Sequence, residues 1–270
     1  MKTDESTVDI RNKGILELDE KLLDRDWVEE IEDRYRIENE MINAVTAGNA
    51  EKALEFFKEQ GDRHYERYTN NIENVRVGLI TFNTLCRRAV AAAHVHPAYI
   101  DRISHDYADR IMKADFEKDP GFTARLCEEM IRKYCLLVRN FSLKKYSAVV
   151  QDAINYIEFH YDDQLTLTSV ADAIGVNNKY LSSQFKKETD TTITDYINNK
   201  RVREAMRLLM LTDAPVRDIS ERVGIYDENY FSRIFKKYSG VTPSKYRRDF
   251  KKGDSRTEPG SLALDDMRNS

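Results

Sequence analysis

The sequence predicts an all-α protein: a helical N-terminal domain, then a domain in which two helix-turn-helix units are joined by a long linker helix. Three observations carry this. Gly (10) and Pro (5) are scarce in 270 residues, and long alternations of Val, Ile and Thr are absent, so little favours strands. Apolar residues recur at helical spacing through most of the chain. A segment of the last third returns about 50 residues later, the mark of a duplicated supersecondary unit.

The elements follow in order. Residues 1–16 read as a loose polar arm, and residues 17–145 as a helical regulatory or dimerisation domain. From Trp27 to Val45 the apolar positions keep a helical period. Gly48 stops that helix and Asn49 can cap the next, Ala50 to Gln60, which is expected to bury Ala53, Leu54, Phe56 and Phe57. Val75 to Ala93 is rich in apolar and alanine positions and should lie at the centre of its domain. Pro97 suits the first position of a helix to about Ala114, and Asp119-Pro120-Gly121 forms a turn before a helix from Phe122 to Val138. Residues 151–249 form the second domain, and 250–270 read as a polar, disordered tail.

Composition narrows the function. Charged residues are 33% and hydrophobic residues 41%, a soluble balance. The N-terminus opens on charges rather than an apolar signal region, and no apolar run approaches the roughly 20 residues that span a bilayer. Three cysteines without a CxxC pair point to free thiols in a reducing compartment, so a cytoplasmic location is expected. Cys127 and Cys135 share a helix face too far apart for a disulfide, and His94-Val95-His96 lacks helical ligand spacing. No metal or cofactor is expected. A Gly-rich phosphate loop and a Ser/His/Asp grouping are absent, so the chain is not expected to be an enzyme. The net charge of −4 hides an asymmetry: residues 145–252 carry 18 Lys and Arg against 15 Asp and Glu. Local charge is what phosphate contact depends on.

The repeat is the informative feature. Its first copy reads Ser169-Val-Ala-Asp-Ala-Ile-Gly175 and then Tyr180-Leu-Ser-Ser-Gln-Phe185-Lys-Lys187. Its second reads Asp218-Ile-Ser-Glu-Arg-Val-Gly224 and then Tyr230-Phe-Ser-Arg-Ile-Phe235-Lys-Lys237. The offset is 49 residues at the glycines and 50 from the tyrosines, so the second turn is one residue longer. Each copy gives a short helix (Thr168–Ile174, Val216–Val223) that stops at glycine, a turn, and a second helix (Asn178–Thr189, Glu228–Ser239) sized for a DNA major groove. Between them a helix from Thr194 to Leu211, with Thr192 and Asp195 placed for a capping box, spans roughly 27 Å. Neighbouring major-groove segments lie roughly 34 Å apart.

Residues 151–249 resemble the AraC/XylS transcriptional regulators. The stretches that carry the resemblance are Leu167-Thr-Ser-Val-Ala-Asp-Ala-Ile-Gly-Val176, Arg201-Val-Arg-Glu-Ala-Met-Arg-Leu-Leu209 and, most specifically, Asn229-Tyr-Phe-Ser-Arg-Ile-Phe-Lys-Lys-Tyr-Ser-Gly-Val-Thr-Pro-Ser-Lys-Tyr-Arg247. The resemblance implies sequence-specific binding of double-stranded DNA and control of transcription, often through contact with RNA polymerase. Ile225-Tyr226 departs from the Phe-Ser expected there. The N-terminal domain lacks strand alternation, so no sugar ligand carries over, and a small-molecule effector and homodimerisation stay open.

Asn178, Lys179, Ser182, Ser183 and Lys186 on the first reading helix, and Asn229, Ser232, Arg233, Lys236 and Lys237 on the second, are the candidate DNA-binding residues. Their side chains can bond base edges or phosphates. Asp227 and Glu228 repel phosphate and fit a capping role. Lys187, Lys245, Arg247 and Arg248 are further phosphate candidates. Tyr180, Phe185, Tyr230, Phe231, Phe235 and Tyr246 are expected in the core. The alternative is a DNA-tethered adaptor that acts mainly through protein interactions of its helical N-domain.

Overall fold

The computed structural model describes residues 24–66, 72–116, 119 and 121–251. The expected arm at 1–16 and the tail beyond Lys251 lie outside these residues, as does Pro120 of the expected turn. The described elements are helices without a strand, and none is long and apolar enough to cross a membrane. The chain falls into two units, Met1–Lys144 and Lys145–Ser270.

The first unit holds α1 (Arg25–Thr46), α2 (Ala50–Glu66), α3 (Ile72–Ala92), α4 (Pro97–Lys113) and α5 (Phe122–Phe141). Asp24 caps α1 through the Trp27 amide, and the Asn49 carboxamide accepts from the Lys52 amide at the start of α2. α2 continues through Gly61, six residues beyond the Gln60 boundary that the sequence suggests. His96 caps α4 with Pro97 at its first position. α3 packs against α1, α4 and α5, and α5 packs against all four other helices, so the two share the centre of the unit. The core gathers Met41, Val45, Leu79, Phe82, Val90, Ile111, Met130 and Tyr134. Ala53 and Leu54 are buried, and Phe56 and Phe57 pack half-buried against this core.

One polar cluster sits inside it. Asn83 donates to the Ser104 carbonyl at 3.0 Å and accepts from the Tyr134 hydroxyl at 2.6 Å, so buried polar groups find partners across three helices. Cys86, Cys127 and Cys135 are buried. No group of three or more His, Cys, Asp or Glu among the described residues is placed to hold a metal.

The second unit holds α6 (Ala148–His160), α7 (Leu167–Ala173), α8 (Asn178–Thr189), α9 (Ile193–Leu211), α10 (Val216–Arg222), α11 (Glu228–Ser239) and α12 (Pro243–Lys251). α6 and α12 are additions to the sequence reading. α12 includes Phe250 and Lys251, which the sequence assigns to the tail. α6 packs on both α7 and α8, and α12 packs on both α9 and α11. The first repeat is therefore a three-helix body, and in the second α10, α11 and α12 gather on the linker α9. The second body closes around Val202, Leu209, Ile219, Val223, Phe231 and Phe235, with Tyr246 of α12 set edge-on to Phe235 at 5.6 Å.

Candidate nucleic-acid interface

Both reading helices begin and end by the same local chemistry. Asn177 caps α8, its side chain accepting from the Lys179 and Tyr180 amides, and Asp227 caps α11 through Asn229 and Tyr230. Asp190 (φ 56°) and Gly240 (φ 79°) end them in the left-handed conformation. The turns that precede them start at Gly175 (φ 71°) and Gly224 (φ 75°), where a residue without Cβ avoids strain. In the second turn Ser220 Oγ donates to the Ile225 carbonyl, closing the loop that carries the extra residue.

Burial fixes which face each helix presents. Leu181 and Phe185 on α8, and Phe231, Ile234 and Phe235 on α11, are buried. Opposite them, at about 100° per residue, Lys179, Ser182, Ser183 and Lys186 occupy one arc of α8. Asn229, Ser232, Arg233 and Lys236 occupy the same arc of α11. Of these eight, seven are exposed and Ser232 is half-buried. Asn178, Lys179, Ser182, Ser183 and Lys186 line one shallow groove together with Leu167 and Lys187. Asn178 is half-buried, and its Nδ2 donates to Thr168 Oγ1 at 3.0 Å, which ties the reading helix to the helix before it.

Several candidates stand elsewhere. Lys237 lies off the shared arc, and its Nζ meets Asp195 Oδ1 on α9 at 3.0 Å. Arg247 turns inward and donates to the Ala214 carbonyl at 2.5 Å. Lys245 and Arg248 are exposed, Arg248 beside Asp249 at 3.6 Å. The expected core placement of Tyr180 and Tyr230 is corrected: they are 51% and 40% exposed. Each sits one position past the start of the polar arc, at the edge between surface and core, so the ring flanks the polar face. Tyr226, 68% exposed, stands in the second turn and was not singled out from the sequence. Only its departure from the family pattern marked it.

Thr192 caps α9 through the Asp195 amide at 3.1 Å, as its sequence position suggests, but the reciprocal half of that box is replaced. The Asp195 carboxylate instead accepts from Lys237, Tyr238 and the Thr192 hydroxyl. These hydrogen bonds, that of Lys237 foremost, hold Asp195 below the usual carboxylate range. The reciprocal capping box is at α7, between Thr166 and Ser169, where Ser stands in for the expected Glu or Gln.

α9 is anchored by buried charge. Lys200 Nζ lies 2.6 Å from Glu158 and 3.1 Å from Glu204, Arg203 reaches Glu158 at 3.3 Å, and the Tyr196 hydroxyl donates to Glu158 at 3.2 Å. Burial and the neighbouring Glu158 raise the Tyr196 phenol well above its usual range, so it stays a donor. Arg201, 8% exposed, donates through Nε to the Tyr161 carbonyl at 2.7 Å and through Nη2 to the Asp163 carbonyl at 2.6 Å.

The sequence comparisons agree with this architecture. A family model described as a helix-turn-helix domain matches residues 170–249. The regulatory protein SoxS of Escherichia coli K12 is 34% identical over 102 residues, covering 38% of this chain and 95% of SoxS. The chain belongs to the AraC family of helix-turn-helix transcriptional regulators. A second match is the uncharacterized HTH-type transcriptional regulator YijO of E. coli K12, 34% identical over 131 residues, 47% of this chain. The chain spans about half the length of that relative, 46%. Among solved structures, the C-terminal domain of AraT, a response regulator from Geobacillus stearothermophilus, is 39% identical, with a TM-score of 0.38 over 38% of this chain and 87% of that one.

Proposed function

We propose that the chain is a sequence-specific, DNA-binding transcriptional regulator that sets α8 and α11 into successive major-groove segments of one duplex. The observation that carries the reading is the matched polar arc on the two helices, each backed by a buried apolar face and each rich in groups that bond phosphates and base edges. The linker α9 has 19 residues and so spans roughly 28 Å, slightly less than the roughly 34 Å between groove segments. A modest bend of the duplex makes up the difference. In this reading the helical N-terminal unit serves dimerisation or signal input, and contact with RNA polymerase follows from the family resemblance.

The test is a gel-shift titration at fixed salt with duplexes selected from a random pool. Binding that discriminates between sequences, and that Arg233→Ala weakens, supports the reading. Equal affinity for every duplex, or none, contradicts it.

A further inference from the structure

The two reading helices share a geometry but differ in chemistry. On the 50-residue offset, positions 182 and 232 are both Ser, and 186 and 236 are both Lys. The other two positions of the arc diverge: Lys179 and Ser183 on α8 stand where Asn229 and Arg233 stand on α11. A lysine ammonium is a point charge suited to phosphate, and a serine hydroxyl accepts either kind of base. Asn and Arg are planar and bidentate: Asn pairs with adenine N6 and N7, Arg with guanine O6 and N7. The one carboxamide on the first reading face, Asn178, already uses its amide toward Thr168.

Charge separates the readers in the same direction. The α8 groove is lined by Lys179, Lys186 and Lys187 with no carboxylate among its residues. The start of α11 is acidic: Asp227 and Glu228 are exposed there. Asp227 is occupied as the cap, while Glu228 in the first turn repels an approaching phosphate. Lys237, the third cation of α11, is held by Asp195. Backbone contact alone therefore rewards α8 more than α11, and α11 is held to DNA chiefly where base edges satisfy it.

We infer that the readers divide the work: α8 supplies affinity that is tolerant of sequence, and Asn229 and Arg233 of α11 supply base selectivity. The operator then has one informative half-site containing guanine and adenine under α11, and one permissive half-site under α8. This inference rests on the DNA-reading function proposed above.

The experiment is selection of binding sites from a random duplex pool with the full chain, followed by titration over several salt concentrations. The wild type should enrich one well-defined block beside a degenerate one. Arg233→Lys keeps the charge but loses the fork, so it should cut discrimination at one guanine about tenfold or more, with unselected DNA bound as before. Combined Lys179→Ala and Lys186→Ala should weaken all sequences alike and reduce the salt slope by about 2, leaving the enriched block unchanged. All three positions are exposed, and an unchanged melting curve confirms that the fold is intact. Two equally informative blocks, or a block that Arg233→Lys leaves intact, overturn the division of work while the DNA-reading function stands. A pool without enrichment, from a chain with no duplex affinity, overturns both.

Discussion

Gly224, in the turn of the second helix-turn-helix, lies directly against the main-chain carbonyl of Asp162: a Cβ built on Gly224 would stand 2.5 Å from that oxygen. Asp162 belongs to the loop between α6 and α7, within the first repeat. The carbonyls on either side of it, of Tyr161 and Asp163, are the two that Arg201 of the linker holds. Tyr161 also packs against the core of the second repeat. The two helix-turn-helix units are therefore joined by packing across this loop as well as by the linker helix.

A paired substitution follows. Gly175 and Gly224 both have positive φ, but a Cβ at Gly175 meets nothing within 4 Å. Gly175→Ala should cost about 1–2 kcal/mol for the left-handed backbone alone. Gly224→Ala should cost about 1–3 kcal/mol more, because main chain must move to admit the methyl. Urea unfolding of both variants checks the difference, and equal costs would show that the Asp162 contact is relieved without penalty.

Arg201→Lys should destabilise the second unit by about 2 kcal/mol, since one ammonium cannot follow the two carbonyl directions that the guanidinium spans. Thermal melting reads it, and a melting point equal to that of the wild type would remove the clamp from the account.

Lys236 and Lys237 are neighbours with opposite expected phenotypes. Lys236→Ala should weaken binding to all duplexes and lower the salt slope by about 1 without changing stability. Lys237→Ala should leave DNA affinity largely unchanged and lower the melting point slightly through the lost Asp195 pair. Anisotropy titrations together with melting curves separate the two, and equal losses of affinity would contradict the placement of Lys237.

The Asp195 pair also sets a pH window. Its carboxyl is depressed in the folded state, chiefly by the Lys237 hydrogen bond, so the stability it contributes is complete above the ordinary carboxylate range. That stability is lost as pH falls through the lower folded value. Asp195→Asn should therefore be less stable than wild type at neutral pH and converge with it in acid. A constant difference across the acid range would contradict this.

Much of the second unit is legible in the sequence because its signals are local. Asp227 before the second reading helix, and Gly175 and Gly224 before each turn, mark the boundaries of α8 and α11 in the sequence, whereas the matching cap Asn177 of α8 shows only in the structure. α6 also carries a local signal, since its buried Val150, Ala153, Ile154 and Ile157 keep helical spacing, but it precedes the repeated stretch and has no glycine or turn motif to mark it. The misplacement of Tyr180 and Tyr230 has a related origin. Periodicity alone does not say whether a residue at the rim of an apolar stripe faces in or out, and a tyrosine satisfies both sides. The commitments of Lys237 to Asp195 and of Arg247 to Ala214 are tertiary, across 42 and 33 residues, beyond the reach of any spacing rule.

The thiols give a check on the first unit. Burial raises the Cys86 thiol far above its usual range and pushes Cys135 up to about 11, and all three cysteines are buried. An alkylating reagent at neutral pH should leave them unmodified in the native chain and label all three in denaturant. Rapid native labelling would contradict the packing of α3 against α5.

The measurement that bears most directly on the whole reading is hydroxyl-radical footprinting of the full chain on a duplex it selects. Two protected segments should appear, their centres about one helical turn apart, roughly 10 base pairs, and Arg233→Lys should weaken protection of one of them only. A single protected segment, or two that fade together in that variant, would contradict a pair of readers acting on one duplex with separate roles.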